Sequence, residues 1–381
     1  MANSVVTRTF RTSILNHQQV CDPLDSLGFA GSKLWNVGRW TIDRIWNEID
    51  HIPGATELCS YLKTHERYAD LHSQSSQRVL QELAEAFTSW YKQDDPDANP
   101  PGYRKHGDSH PRSTITFKDA GFKLDTKHDQ VRLSKGRNLK EHRGDFILCE
   151  YQTRPDIDLS AMESVQQVRA VWNGDEWELH FVCRVEIEAE ESSGEQTAGI
   201  DLGISNTAAV SFGDETLLYP GNALKEDAHY FRQREYETEG ENGPSKESER
   251  LRRKKARRQD HFLHAVSKDI VERCADRDVG VIAVGHPEKI RDDQEWGRHG
   301  NKRLHDWPFD RLIALIEYKA EEHGIEVERV DEYELRTSRT CCSCRTEASS
   351  NRVERGLYVC DDCGLVANAD CNAAENMRAT V

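Results

Sequence analysis

The sequence predicts two folding units: a β-barrel-like unit with a helical unit set into it over residues 1–190, and an α/β unit over residues 197–381. Three observations carry this prediction. Apolar residues recur at helical spacing up to about residue 95, and the pattern then changes to alternation at period two. The acidic run at 186–196 has no apolar period and marks a boundary. Beyond it, strand-like and helix-like segments alternate, as in an α/β sheet.

The helical unit, at about 20–95, rests on two apolar stripes that follow a short leading strand. The first consists of Leu34, Trp35, Ile42, Ile45, Trp46 and Ile49, and the second of Val79, Leu80, Leu83, Phe87, Trp90 and Tyr91. Both stripes are predicted to face the core, because apolar residues at this spacing share one side of a helix. The stretch PDANPPGYR at 96–104 then ends regular structure.

The β-barrel-like unit is predicted from segments that alternate at period two, such as STITF at 113–117 and FILCEY at 146–151. Residues 168–185 are predicted to form a hairpin. Asn173-Gly174 lies between two apolar arms there, and these residue types supply the positive φ angles of a tight turn.

The α/β unit is predicted from a series of alternating elements. TAGIDLGISNTAAVSF, from Thr197, reads as two strands joined by a tight turn at 203–206. The elements predicted after it are a helix to about Arg273, a buried strand over 279–284, an amphipathic helix over 309–323 and a strand from Ile325.

Composition excludes several classes of protein. The chain has 381 residues and no run of about 18 apolar residues, so a membrane span is excluded. The N-terminus MANSVVTRTFRTSIL has no unbroken apolar region and no small-residue cleavage site, which argues against secretion and favours the cytoplasm.

Six of the eleven cysteines cluster between residues 341 and 371. Cys341 and Cys344 form one C-x2-C pair, and after fifteen residues Cys360 and Cys363 form a second. This spacing is typical of a four-cysteine structural zinc site, in which two knuckles converge on one Zn²⁺. Cys342 could exchange roles with Cys341, whereas Cys371 lies beyond the pattern. A closed site of four thiolates leaves no position for substrate, so this zinc is predicted to be structural.

Two aspartates are candidate ligands of a second metal. Asp201 lies at a predicted strand end and Asp370 just after the cysteine cluster. Hydrolysis of phosphodiesters by Mg²⁺ needs several carboxylates brought together. Taken alone, Asp201 reads equally as a turn residue and Asp370 as a helix cap.

Several motifs, taken together, carry a family resemblance. They are GIDLGISN at 199–206, VGVIAV at 279–284, YKAEEHGI at 318–325, TSRTCCSC at 337–344, CDDCG at 360–364 and ADCNAAENM at 369–377. In order and spacing they resemble the RuvC-like nuclease core of the TnpB (OrfB) family of transposon-encoded proteins, relatives of type V CRISPR effectors and of the Fanzor proteins. The resemblance is dense over 197–381, weaker over 70–190 and loose over 1–70.

This resemblance implies a RuvC-like (RNase H-like) fold for the α/β unit, with a zinc ribbon inserted at about 338–366. It also implies an RNA-guided, Mg²⁺-dependent DNA endonuclease that acts as a monomer. A guide RNA from the transposon end would pair with double-stranded target DNA. Asp201 takes the position of the first catalytic aspartate of the family and Asp370 that of the last, while Arg345 stands where a glycine usually follows the first knuckle.

The middle catalytic carboxylate of the family is missing. The family usually has a glutamate at the end of the third strand, where this chain has Gly285-His286-Pro287. Glu317 is the favoured substitute, because it borders the apolar stripe of its predicted helix and could lean toward a metal at the sheet edge. Glu288 is the second candidate. Alternatively, the site is degraded, and the protein is a nuclease-dead, RNA-guided DNA-binding regulator.

Residues 250–258 carry seven basic side chains in nine positions. Those predicted to bind nucleic-acid phosphates are Arg252, Arg253, Lys254, Lys255, Arg257 and Arg258. The alternative is a charged, solvated helix. The chain as a whole has a net charge of −16, unusual for a nucleic-acid binder, and we interpret this acidity as adaptation to high salt in a halophile.

Overall fold

The computed structural model describes residues 3–93, 98–104, 111–155, 157–188, 194–238, 245–286, 307–331, 335–354 and 356–381. The chain divides into two compact units, one over residues 5–186 and one over residues 187–381 together with residues 1–4. Among the described residues, no helix combines the length and the apolar character needed to cross a membrane.

The helices of the first unit bury most of the two apolar stripes that the sequence predicts, but Ile49 and Tyr91, the last members of the two stripes, are 69% and 75% exposed. These helices are α1 (His17–Ile49), α2 (Ala55–Leu62), α3 (Ser73–Tyr91) and α4 (Arg137–Arg143). Leu34, Ile42, Leu83 and Phe87 are completely buried in a core shared with the strands of the same unit. Gly31 allows the close approach of α1 to the sheet, because a Cβ there would lie 2.6 Å from Cδ1 of Ile115.

The strands of the first unit form one seven-stranded sheet in the order β2-β6-β7-β1-β5-β4-β3. They are β1 (Asn3–Ile14), β2 (Ile115–Lys118), β3 (Phe122–Asp125), β4 (Gln130–Ser134), β5 (Phe146–Gln152), β6 (Ser164–Trp172) and β7 (Trp177–Glu188). β2 and β3 stand at the two ends of this order, and closure of the sheet into a barrel stays a prediction.

The predicted hairpin is formed by β6 and β7, which pair antiparallel, but its loop is longer than a two-residue turn. Trp172 pairs with Trp177, so four residues separate the strands. The side chain of Asn173 closes the loop by accepting hydrogen bonds from the backbone N–H groups of Asp175 and Glu176. Gly174 has the predicted positive φ, at 109°, whereas the same prediction for Asn173 is wrong, because its φ is not positive.

The second unit contains a five-stranded mixed sheet in the order β10-β9-β8-β11-β12. Its strands are β8 (Gln196–Asp201), β9 (Asn206–Ser211), β10 (Thr216–Pro220), β11 (Val279–Gly285) and β12 (Glu326–Val330). β8, β9 and β10 pair antiparallel, whereas β11 pairs parallel with both β8 and β12. This is the α/β arrangement that the alternation of elements predicts.

Helices cover the two faces of this sheet. They are α5 (Asn222–Thr238), α6 (Lys246–Asp276), α7 (Phe309–Glu322) and α8 (Ala369–Arg378). Ile200 and Val284 share one core with Ile316 of α7, so α7 packs on the face to which these strand residues point. α8 packs on the opposite face, because a Cβ on Gly199 would lie 2.0 Å from the carbonyl oxygen of Ala374.

A three-stranded sheet is formed by the part of the chain that follows β12 and precedes α8. It consists of β13 (Arg352–Glu354), β14 (Leu357–Val359) and β15 (Val366–Asn368), paired antiparallel in chain order. Tyr358 is completely buried and shares a small core with Cys341, Cys360 and Ala369. These strands are the framework of the predicted ribbon.

Candidate metal centres and nucleic-acid surface

The structure brings Cys341, Cys344, Cys360 and Cys363 together, with their sulfur atoms all within 4.8 Å of one another. The Sγ atoms of Cys341 and Cys363 are 3.7 Å apart, and those of Cys344 and Cys360 are 3.5 Å apart. Four sulfurs at about 2.3 Å from one Zn²⁺ would be separated by about 3.8 Å in a tetrahedron. The cluster therefore has the size and the donor set that tetrahedral zinc requires.

The two knuckles have the same local geometry. The backbone N–H of Arg345 donates to the carbonyl of Cys341 at 3.0 Å, and that of Gly364 to the carbonyl of Cys360 at 2.9 Å. Both donors adopt the left-handed conformation, with φ of 63° at Arg345 and 75° at Gly364. Glycine adopts this φ without strain, which explains why a glycine would suit the position that Arg345 occupies in this chain.

The cysteine cluster cannot hold four negative charges without a cation. Hydrogen bonds from the side chain and backbone of Thr346 lower the pKa of Cys344 to about 6. Although a backbone hydrogen bond from Leu365 acts in the opposite direction, burial and the neighbouring thiols raise the pKa of Cys363 to about 12. A thiolate thus forms readily at Cys344, and ionisation of the neighbouring Cys363 is opposed. A bound cation would remove this opposition, as expected of a metal site.

Asp201 and Asp370 lie at one end of the five-stranded sheet. Asp201 is the last residue of β8, and Asp370 lies in the first turn of α8, where Asn368 caps the helix by accepting from the backbone N–H of Asp370 at 2.9 Å. Burial first, and then the charges of Asp370 and Asp201, raise the pKa of Cys371. Both carboxylates therefore act electrostatically on this one thiol.

Asn206 connects the turn that follows Asp201 to the helix that carries Asp370. It is the first residue of β9, directly after the turn that follows Asp201, and its Nδ2 donates to Oδ2 of Asp370 at 2.8 Å. Asn206 is the last residue of the motif GIDLGISN, and the sequence alone assigned it no role. Its position five residues after the strand-end aspartate Asp201 is the signal that would have identified it as a candidate site residue.

Gly285 lies beside Asp201 at the end of the adjacent strand. Ile200 of β8 is the register partner of Val284 of β11, so the next residues along this parallel pair, Asp201 and Gly285, occupy corresponding positions. Glycine has no side chain to offer a metal. The strand that flanks Asp201 thus provides no carboxylate at this level of the sheet.

Glu317 lies on the other side of the sheet from Asp201. Its two carboxylate oxygens accept from Nε and Nη2 of Arg329 at 2.7 and 2.9 Å. Arg329 is the register partner of Val284, whose side chain points to the α7 face, whereas Asp201 shares with Gly199 the α8 face. The structure therefore does not bring Glu317 to the aspartate pair.

Among the described residues, no third carboxylate converges with Asp201 and Asp370 on one point. Within these ranges, the four cysteines are the only group of three or more His, Cys, Asp or Glu side chains whose ligand atoms converge on one point. Glu288, the other predicted substitute, lies outside the described residues.

The predicted basic surface lies in the first half of α6, where acidic partners accompany several of its arginines. Nε of Arg258 donates to Asp227 of α5 at 2.7 Å, and this bond raises the pKa of Arg258. Arg252 lies 3.9 Å from Glu235 of α5. The same helix carries the remaining residues predicted to bind phosphates, which are Arg253, Lys254, Lys255 and Arg257. Arg253 pairs with Glu249 at 3.8 Å.

Comparisons with known proteins agree with the class that these features define, an α/β protein with an aspartate pair and a four-cysteine cluster. The family model described as "Probable transposase" (OrfB_IS605) matches residues 180–291, and the one described as "Cas12f1-like, TNB domain" matches residues 309–377. The chain is thus similar to the TnpB (OrfB) family, as the motif set predicts.

Individual relatives are similar over different lengths. The "TnpB-like protein ORF457" of Acidianus two-tailed virus is 27% identical over 362 residues, which cover 84% of this chain and 75% of the relative. The "CRISPR-associated endodeoxyribonuclease Cas12f1" of Sulfoacidibacillus thermotolerans is 29% identical over 217 residues, 53% of this chain and 49% of that protein. A solved Cas12f1-sgRNA-target DNA complex aligns with a TM-score of 0.41 and 15% identity, covering 98% of each chain.

Proposed function

We propose that this chain is an RNA-guided DNA endonuclease encoded by a transposon, whose second unit is a RuvC-like nuclease domain with an inserted zinc ribbon. The observation that carries the proposal is that Asp201 ends β8 at the turn before Asn206, while Asn206 donates to Asp370 of α8, so both aspartates belong to one end of a mixed sheet. Relatives named as endodeoxyribonucleases, and a relative solved with guide RNA and target DNA, support the class of reaction and the two partners.

The residues present fit a Mg²⁺ site. Mg²⁺ is held in proteins by one or two carboxylates and keeps several of its waters, so Asp201 and Asp370 are ligands of the kind that it requires. Bound Mg²⁺ would supply charge stabilisation and an activated water for hydrolysis of the phosphodiester. Asp201 would hold the ion from a strand end, and Asp370 from a helix N-terminus. Asn206 would keep Oδ2 of Asp370 oriented through their hydrogen bond.

For the third ligand, two candidates remain in the proposal. Glu317 would have to give up its bidentate pair with Arg329 and reach the other face of the sheet. Glu288 follows Gly285 by three residues, and Gly285 ends the strand that lies beside Asp201. The order of preference from the sequence is therefore reversed: we place Glu288 before Glu317.

A second candidate function is a nuclease-dead, RNA-guided DNA-binding regulator. The specific observation in its favour is Gly285 at the position level with Asp201, together with the absence of a third converging acid among the described residues. The retained pair of aspartates favours the first candidate, because binding alone requires neither of them.

Structural Zn²⁺ at the four cysteines and phosphate binding by the basic residues of α6 complete the proposal. The acidic partners Asp227 and Glu235 reduce the net positive charge that α6 presents. A phosphate backbone would then compete with these carboxylates for the arginines, and nucleic-acid binding should depend on salt accordingly.

One experiment tests both candidate functions. RNA that copurifies with the protein is sequenced, and the protein loaded with that RNA is given matching double-stranded DNA with Mg²⁺ or Mn²⁺ at low and high KCl. A discrete RNA, specific DNA binding and cleavage would support the endonuclease. Specific binding without cleavage under all conditions would support the regulator, and absence of a discrete RNA would overturn both.

A further inference from the structure

Two asparagines of α8 hold the backbone that enters the first zinc knuckle. Asn372 and Asn376 lie one turn apart and are only 1% and 5% exposed. Nδ2 of Asn372 donates to the carbonyl oxygens of Thr337 and Thr340 at 3.2 and 2.8 Å. Nδ2 of Asn376 donates to the same two oxygens at 3.1 and 2.7 Å. Four hydrogen bonds thus connect one side of α8 to the residues just before Cys341.

The oxygen atoms of both amides are also paired, and their donors belong to the knuckle itself. The backbone N–H of Cys342 donates to Oδ1 of Asn372 at 2.9 Å. Nη1 of Arg345 donates to Oδ1 of Asn376, also at 2.9 Å. Aspartate in either place would lose the donors, and leucine would leave the buried carbonyls unpaired. The chemistry of the contact therefore specifies asparagine at both positions.

This contact connects the cysteine cluster to Asp370. The loop between Cys341 and Arg345 has a fixed shape when its cysteines share one cation, and the carbonyls of Thr337 and Thr340 precede that loop directly. α8 receives these bonds along the face that carries Asn372 and Asn376, while Asp370 lies in its first turn. Any change in the knuckle reaches the helix through these six hydrogen bonds.

We propose that Asn372 and Asn376 are positioning residues that make the placement of α8, and of Asp370 on it, depend on metal binding by the four cysteines. The inference rests on the proposed zinc site and is independent of whether the chain cleaves DNA. Arg345 is part of the device: it occupies a left-handed backbone position that suits glycine, and its guanidinium supplies the bond to Asn376.

Amide hydrogen exchange of the full chain, with zinc bound and with zinc removed by a chelator, tests the proposal. In the wild type, zinc removal should accelerate exchange of the amides of α8 by about tenfold or more. The strands β2 and β4 of the other unit serve as the internal reference and should not respond. Metal content is measured first, so absence of bound zinc would refute the zinc site itself, whereas bound zinc with an unresponsive α8 would refute only the coupling.

The variant Asn376→Asp separates coupling from ordinary stability. It should retain zinc and the absorption spectrum of the Co²⁺-substituted cluster, yet exchange in α8 should be fast and independent of zinc. Asn16→Asp is the matched control, because Asn16 in the other unit also donates to a backbone carbonyl, that of Leu148, and accepts from the backbone N–H of Glu150. This control should keep the zinc response of α8. A purely structural role for Asn376 predicts faster exchange that still responds fully to zinc, and that result would overturn the proposal.

Arg345→Gly provides a second, milder test should Asn376→Asp fail to fold. Glycine suits the left-handed φ of 63°, so a purely structural view predicts a knuckle at least as stable as the wild type. The coupling predicts instead a smaller zinc response of α8, which Arg345→Lys should restore in part because lysine keeps a cationic donor. An undiminished zinc response in Arg345→Gly would contradict the inference.

Discussion

Asn206 donates a hydrogen bond to Asp370 across 2.8 Å and so connects the start of β9 to the first turn of α8. Asp201 ends the preceding strand, and only the turn between β8 and β9 separates it from Asn206. One side-chain bond therefore links the strand that follows Asp201 to the helix that carries Asp370.

Asn206→Ala should weaken the site without removing a carboxylate. Loss of a residue that orients a metal ligand typically costs 10- to 100-fold in metal affinity or activity, and we expect a decrease of about this size in cleavage rate and in Mn²⁺ affinity. Guide-RNA binding should be unchanged. Asn173→Ala, in the hairpin loop of the other unit, is the control; equal effects of the two variants would argue against an orienting role for Asn206.

Asp201→Ala and Asp370→Ala should each abolish cleavage. Removal of a direct ligand costs several kcal/mol of transition-state stabilisation, which corresponds to a loss of about 10³-fold or more in rate. Binding of guide RNA and target DNA should stay nearly intact, because only the metal depends on these carboxylates. The check is a single-turnover cleavage assay beside a binding assay, and residual cleavage above 10% of the wild-type rate in either variant would contradict the assignment.

The third carboxylate is tested by two isosteric variants. Glu288→Gln should abolish cleavage, whereas Glu317→Gln should cleave DNA nearly as fast as the wild type. Glu317→Gln should lose at most about 1 kcal/mol of stability, because the partner of Glu317, Arg329, is an exposed arginine. Gly285→Glu in the Glu288→Gln background should partly restore cleavage, because it presents a carboxylate level with Asp201. A silent Glu317→Gln with an active Glu288→Gln would instead return the third ligand to α7.

Zinc at the four cysteines is tested by metal analysis. The wild type should contain one Zn²⁺ per chain, and Cys360→Ser should lose it, because serine replaces a thiolate in a closed set of four donors. Cys371→Ser is the control, since this thiol lies outside the cluster. Zinc content that is unchanged in Cys360→Ser, or that falls equally in Cys371→Ser, would contradict the predicted ligand set.

Glu375 should make the second unit sensitive to acid. Burial acts to raise its pKa, but hydrogen bonds from Arg378 and Ser211 and the charge of Arg378 hold the pKa below its ordinary value of 4.5. Because the unfolded chain then binds the proton more readily, this stabilisation is present above pH 4.5 and is lost as the pH falls through the lower folded value. Denaturant unfolding between pH 3 and 7 should show a weaker pH dependence for Glu375→Gln, whereas Glu354→Gln on the exposed β13 should leave it unchanged.

Features that depend on neighbours along the chain were predictable. Each cysteine knuckle is a local turn, so the spacing predicted the set of sulfurs that come together, and only the choice between Cys341 and Cys342 was left to the structure. The apolar stripes of α1, α3 and α7 are local too, and their members Leu34, Leu83 and Ile316 are buried as predicted. The length of the hairpin loop was missed, because the cap by Asn173 on Asp175 and Glu176 competes with a two-residue turn.

The sequence by itself determined the family resemblance, the two candidate aspartates and the cysteine set, since these are carried by residue type and spacing. The tertiary structure decided which of the remaining groups can join them. Helical periodicity correctly set Glu317 at the border of a buried stripe, but it contains no information about which face of the sheet the helix covers. Strand register contains this information. It puts Gly285 level with Asp201, and it puts Arg329, the partner of Glu317, on the opposite face of the sheet. Register depends on hydrogen bonds between strands about 80 residues apart in the chain, and no local pattern specifies them.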